Sequence, residues 1–352
     1  MLAYWALFGI FGFAAAVTDE RKRRPGGIGW IAAGVLLAIV IGLRREVGGD
    51  WFKYMTIFER LQHVDLARAL QESDPGYTIL NLIAGSFGLG LWAVNLACAA
   101  IFTVGLLKLC REQPNPVLAV LIGIPYLVIV VAMGYTRQGG ALGFVMLALF
   151  YYFRGWIGRM ALALALAAAF HKSAILVIPL IALAASRRRF LTFLLLGVVA
   201  AVAYWLFIQS SVDRLMANYV GARYSSSGAG IRIAMNLVPA TIFLLNRHRF
   251  TAIREEMRLW TIFSIGSFVA LGLLLASPSS TAVDRSSLYL IPLQLFVLSR
   301  VPLAFSNQPT PSVFLKIAVI FYSMVVQFIW LNYADNARDW VPYHNYLSDM
   351  IR

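Results

Sequence analysis

Continuous apolar runs of about 15 to 20 residues recur along the whole chain, and such a run can satisfy its backbone polar groups in a bilayer only as a helix. GWIAAGVLLAIVIGL, residues 29–43, is one example. The runs do not alternate polar with apolar residues, which excludes a membrane-spanning barrel. With 60% hydrophobic and only 13% charged residues in 352, and a mean hydropathy of +0.75, the composition is that of an integral membrane protein. The expected fold is all-α and polytopic, a single transmembrane domain over residues 1–352 with about 12 transmembrane helices. The spans fall near 2–18, 28–43, 116–133, 138–153, 158–171, 173–186, 190–208, 231–246, 259–277, 285–299 and 313–333, with one more from region 77–110. The Gly-rich break GSFGLGL at 85–91 predicts a re-entrant or interfacial helix at 77–87, followed by a span from Trp92 to Cys110.

A net charge of +14 in a soluble chain points to nucleic acid; here most of the excess sits in short loops, where it sets orientation. DERKRR (19–24), FRGWIGR (153–159), SRRRF (186–190) and NRHRFTAIREEMR (246–258) are expected on the cytoplasmic side. Parity then turns 44–76, 134–138, 170–173, 209–230, 277–285 and the tail 334–352 outward. The basic cluster follows the first apolar run, the reverse of a signal peptide's order, so that run is read as a retained span. Cys98 and Cys110 are too far apart along one helix to bridge. No internal repeat is evident, and no outward loop is large enough to fold alone.

Function is therefore expected in the membrane and at its outer face. RREVGGDWFKY places Arg44 and Arg45 at the outer end of a span, then a Gly-Gly turn, then Asp50 and Tyr54 on one helical face. An interfacial anchor of Arg, Trp and Tyr would account for that stretch alone. The same chemistry recurs at other outward positions. Arg137 and Gln138 open a span, and His171, with Lys172 and Ser173 beside it, lies in strongly apolar surroundings. Arg214, Arg223 and Arg232 are spaced through a Gly/Ser-rich loop, and Asp284 and Arg285 precede SSLYLIP, which holds Tyr289. Arginines gathered on the outer side against the usual bias suggest an anionic ligand there, and guanidinium forks suit diphosphate oxygens. The four scattered histidines and the lack of a carboxylate cluster predict no metal and no cofactor. No P-loop or dinucleotide fingerprint is present.

RREVGGDWFKYMTIF resembles the R-x-x-V-G-x-D…Y signature of the EpsG family of Wzy-like exopolysaccharide and O-antigen polymerases. YTRQ, FHKSAILVIPL and DRSSLYLIP follow in that family's order, over roughly residues 28–300. Gly49 stands where Thr is common in the family. The resemblance implies a glycosyltransferase of the bacterial inner membrane with its active site facing the periplasm. Its substrate would be a polyprenyl-diphosphate-linked oligosaccharide, and a chain-length-determining membrane protein a partner. Arg44, Asp50, Tyr54, Arg137, His171 and Arg285 would line the site. In that mechanism His171 is the first candidate for general base and Asp50 the second, and Arg44, Arg137 and Arg285 form the diphosphate clamp. A lipid-linked oligosaccharide flippase, an O-antigen ligase-type transferase and a non-catalytic assembly subunit are the competing expectations.

Overall fold

The computed structural model describes residues 1–18, 27–185, 189–203, 228–276, 280–306 and 312–350. Arg214 and Arg223 lie outside the described residues, as do most of the basic loops 19–24 and 186–190. Apolar segments become helices throughout: α1 (Leu2–Val17), α2 (Ile28–Gly42), α6 (Leu91–Arg111), α8 (Thr136–Phe153), α9 (Ile157–Phe170), α10 (Val177–Ala184) and α11 (Arg189–Ala203). They continue as α12 (Ala229–Leu245), α13 (Arg254–Ala276), α15 (Pro292–Ala304) and α16 (Val313–Tyr333). The α7 helix (Pro116–Gly123) runs on as a π-helix, Ile124–Ala132, and α14 (Ser280–Ser287) meets α15 through a 3-10 turn with a bend of 47°.

Among the described residues three helices, α6, α13 and α16, are each long and apolar enough to cross a bilayer alone, and the bent α14–α15 pair is so as a unit. Shorter apolar helices make up the rest, and one continuous hydrophobic core runs from Tyr4 to Trp340. The chain is an all-α membrane protein. Where a second region of the sequence is amphipathic, the helix lies at the end of the bundle: α3 (Trp51–Leu61) buries Trp51, Tyr54 and Leu61 and exposes Lys53 and Arg60. α4 (Leu66–Glu72) starts at Asp65, whose carboxylate accepts from the Arg68 amide at 3.1 Å. α5 (Pro75–Ser86) occupies the stretch expected to be re-entrant or interfacial and packs on α6 and α9.

Small residues let the central helices meet closely. A Cβ on Gly105 of α6 would stand 2.1 Å from the Gly143 carbonyl of α8, and one on Gly42 of α2 would stand 2.6 Å from Leu96 Cα. This fixes α2, α6 and α8 as a tight layer behind the site.

The tail closes the same end of the bundle. β1 (Arg44–Arg45) pairs antiparallel with β2 (His344–Asn345), and the short α17 (Tyr346–Met350) follows. Gly48, at φ 106°, donates its amide to the Asp339 carbonyl at 2.8 Å. Trp340 is buried, with its indole N–H on the Ile129 carbonyl at 2.7 Å, so the tail docks on the π-helix.

Candidate functional site

Four chain breaks converge at the end of the bundle that carries β1: the 44–50 turn, the start of α8, the α9–α10 break and α14. Each lifts polar side chains out of an apolar helix. At the α9–α10 break His171 is extended (φ −157°, ψ 119°), and its Nδ1 accepts from the Ser173 amide at 3.3 Å. Ser173 Oγ lies 2.6 Å from the same nitrogen and 3.1 Å from Tyr289 Oη. A backbone amide can only donate, so Nδ1 is the acceptor and the ring's proton sits on Nε2. Among the described residues Nε2 has no protein partner, and His171 keeps part of its surface open. Burial, with the charges of Arg137, Arg285 and Lys172 behind it, pushes the His171 pKa down to about 3. The imidazole is neutral at any ordinary pH.

Arg137, in the first turn of α8, reaches Asp74 Oδ2 at 3.0 Å and Ser73 Oγ at 3.2 Å. It lies beside the paired rings of Tyr54 and Tyr77, 5.8 and 6.0 Å from their centroids. The other Asp74 oxygen accepts from the Lys172 amide at 3.4 Å, joining α5, α8 and the His171 break. Burial pushes the Asp74 carboxyl up, while Arg137 and Lys172 pull it back. Asp74 was not among the expected site residues, although the Asp-Pro pair at a helix start is a capping signature.

Gln138 is buried and donates to the Arg285 carbonyl at 2.7 Å, tying α8 to α14. The Arg285 guanidinium lies 5.8 Å from the Tyr135 ring centroid and has no hydrogen-bond acceptor among the described residues. Asp284 beside it holds Arg232 of α12 through two contacts, 2.5 and 2.6 Å, so that pair is mutually neutralised. Asp50 opens α3 close to Tyr54 and Tyr135, partly exposed, and its carboxylate makes no hydrogen bond among the described residues.

Two expected residues stand apart. Arg44 is 1% exposed and donates to the Ile41 carbonyl (2.6 Å), the Val47 carbonyl (3.2 Å) and Thr136 Oγ1 (2.7 Å). It fastens the end of α2 to the start of α8. Arg45 is partly exposed, with its Nε 3.9 Å from Glu46. The structure thus gathers Asp50, Tyr54, Arg137, Gln138, His171, Lys172, Asp284, Arg285, Tyr289 and Arg232, and leaves Arg44 behind them as a strut.

Apolar grooves flank the gathered residues on two sides. One, about 440 Å³, runs between α12 and α16 over the π-helix from Arg232 and Tyr135 past Met235, Val326 and Ile329. The other, about 370 Å³, lies between α10, α13 and α14 and reaches Ser287 and Tyr289. Exposed Val238 and Ile329 edge the first, and Leu176 and Leu273 the second, so both open sideways. Among the described residues no three His, Cys, Asp or Glu side chains gather as a metal site.

The family model of EpsG matches residues 28–345. The chain belongs to the EpsG family. EpsG is a Wzy-like polymerase family, so the chain is a membrane protein of exopolysaccharide-polymerase type. No curated protein and no solved structure matches it.

Proposed function

We propose that this EpsG-family chain transfers oligosaccharide from a polyprenyl diphosphate at the outer face of the bacterial inner membrane, building polymer from lipid-linked repeat units. About 12 spans, counting the shorter apolar helices and the bent pair as crossings, would put the gathered residues at that face. One observation carries the reading. At a single bundle end Arg285 has donors without an acceptor among the described residues, Arg137 and Lys172 stand near it, and sideways-open apolar grooves adjoin them. An anionic head group on a long apolar chain fits both halves of that arrangement.

In the transfer, the acceptor hydroxyl oxygen bonds to the anomeric carbon while the bond from that carbon to the diphosphate oxygen breaks. The diphosphate leaves with the electron pair, and the hydroxyl proton passes to a base. Arg285 and Arg137 stabilise the charge developing on the leaving oxygens. His171 presents Nε2–H, so its role is to donate a hydrogen bond to the leaving group or sugar. Asp50, whose carboxylate meets no donor among the described residues, takes the proton. In this reading Asp50 comes before His171 as the base, because the Ser173 amide occupies Nδ1. Tyr289 and Ser173 hold the His171 ring.

The test is deletion of the gene in its host and complementation with wild type, Asp50→Asn or Arg285→Ala. Single lipid-linked repeats accumulating at the outer leaflet, cleared only by wild type, support the proposal. Repeats trapped on the cytoplasmic side would make the chain a flippase instead, and normal polymer with both variants would dismiss the site.

A further inference from the structure

The bundle has a further concave surface toward its opposite end. Arg44 reaches Thr136 and, through it, Asn95 at the start of α6, whereas this surface ends at Arg111, about 24 Å further along that helix. It is a groove of about 620 Å³ in the wedge where α2 and α8 both lie against α6. Its floor is Gly34, Val35 and Ala38 of α2 with Ala100, Val104 and Leu107 of α6. From Ala100 to Arg111 it extends about 16 Å, parallel to the helices. Val35 and Val104 are about half exposed, so the floor faces the surroundings that a membrane helix meets, which are lipid chains.

Charge is confined to one end of this groove. Lys108, Arg111 and Arg154 stand there with a single carboxylate, Glu112. Arg154 holds Glu112 at 2.6 Å, and the Phe150 ring lies under both Arg154 and Lys108, at 5.5 and 5.3 Å. Lys108 and Arg111 have no carboxylate partner among the described residues, and both are exposed. An apolar trough along the helices, capped by a net positive mouth at the level where α2, α6 and α8 leave the apolar layer, complements a lipid with a negative head group. The charge bias of the adjoining loops puts this mouth on the cytoplasmic side.

We propose that this wedge is a binding site for an anionic phospholipid, its acyl chain along Gly34, Val104 and Leu107 and its phosphate against Lys108 and Arg111. The site is separate from the sugar-transfer site and does not depend on that assignment. Each cation near a membrane phosphate contributes about a five-fold gain, so two unpaired cations predict a preference of about 25-fold for an anionic over a zwitterionic head group.

The full chain, purified in uncharged detergent, is titrated with phosphatidylglycerol or phosphatidylcholine of identical acyl chains, and bound lipid is counted by native mass spectrometry. Wild type should retain phosphatidylglycerol preferentially, at about the predicted ratio. A Lys108→Gln, Arg111→Gln double variant should bring the two lipids to near equality. Val104→Trp, which fills the trough without touching a charge, should weaken both lipids and keep their ratio. Equal retention of the two lipids by wild type would overturn the proposal, and so would full preference in the double variant. If the double variant fails to fold, the wild-type head-group comparison and Val104→Trp still decide.

Discussion

The two ends of this bundle treat arginine in opposite ways. In α15, remote from His171, Arg300 lies 3.5 Å from Glu256, bonds to Gln113 and stacks 3.9 Å from the Phe296 ring centre. The protein itself supplies that guanidinium with a carboxylate, an amide oxygen and an aromatic face. At the other end Arg285 has a ring beneath it and, among the described residues, no hydrogen-bond acceptor. A guanidinium kept beside apolar grooves with its donors unoccupied invites an anion from outside the protein. A balanced cluster calls for none.

That contrast is open to direct attack. Arg300→Ala should have the largest effect on stability, a loss of about 3–5 kcal/mol, because Glu256 is left charged and buried; thermal unfolding in detergent measures it. Arg285→Ala should barely change that melting temperature, yet should lower polymer formation by about a hundred- to a thousand-fold, the usual cost of removing one charge-stabilising donor. If the two variants changed places, the division into a structural and a chemical end would fail. Arg285→Lys should recover little of the activity, because the fork geometry is lost while the charge is kept.

A smaller effect depends on pH. The pKa of His171 falls from 6.5 unfolded to about 3 folded, so between these values the unfolded chain binds a proton that the folded chain refuses. Stability therefore rises with pH in that window. Taken from pH 7 to pH 4, wild type should lose more melting temperature than His171→Gln; parallel loss would mean that the ring is not held neutral. Smallest of all, Arg45→Ala should shift stability by about 0.5 kcal/mol or less, since its partner Glu46 is an exposed neighbour at 3.9 Å.

The apolar helices were legible because each is a local property of the sequence, and so were two of the breaks. GSFGLGL marks the end of α5, and the short runs on either side of FHKS mark the turn at His171. Pairings between distant segments were not. Asp74 meets Arg137 across 63 residues, and nothing in either stretch announces the other. The same holds for the two-residue strands β1 and β2, too short to show any period. The π-helix at Ile124–Ala132 was also invisible, since a wider turn changes hydrogen bonding without changing apolarity. Arg44 illustrates the cost. Sequence alone marks it as outward and basic, whereas its role follows from carbonyls at Ile41 and Val47 that only the folded turn brings together.

The docking of Trp340 and β2 has a consequence in time. Tyr4, in the first helix, donates its hydroxyl to the Trp340 carbonyl 336 residues later, and the strand holding Arg44 and Arg45 finds its partner only at His344 and Asn345. During vectorial synthesis the early helices enter the membrane with these contacts unmade. Contacts of such sequence separation form late. Assembly of this end of the bundle therefore waits for the tail, which is its closing piece.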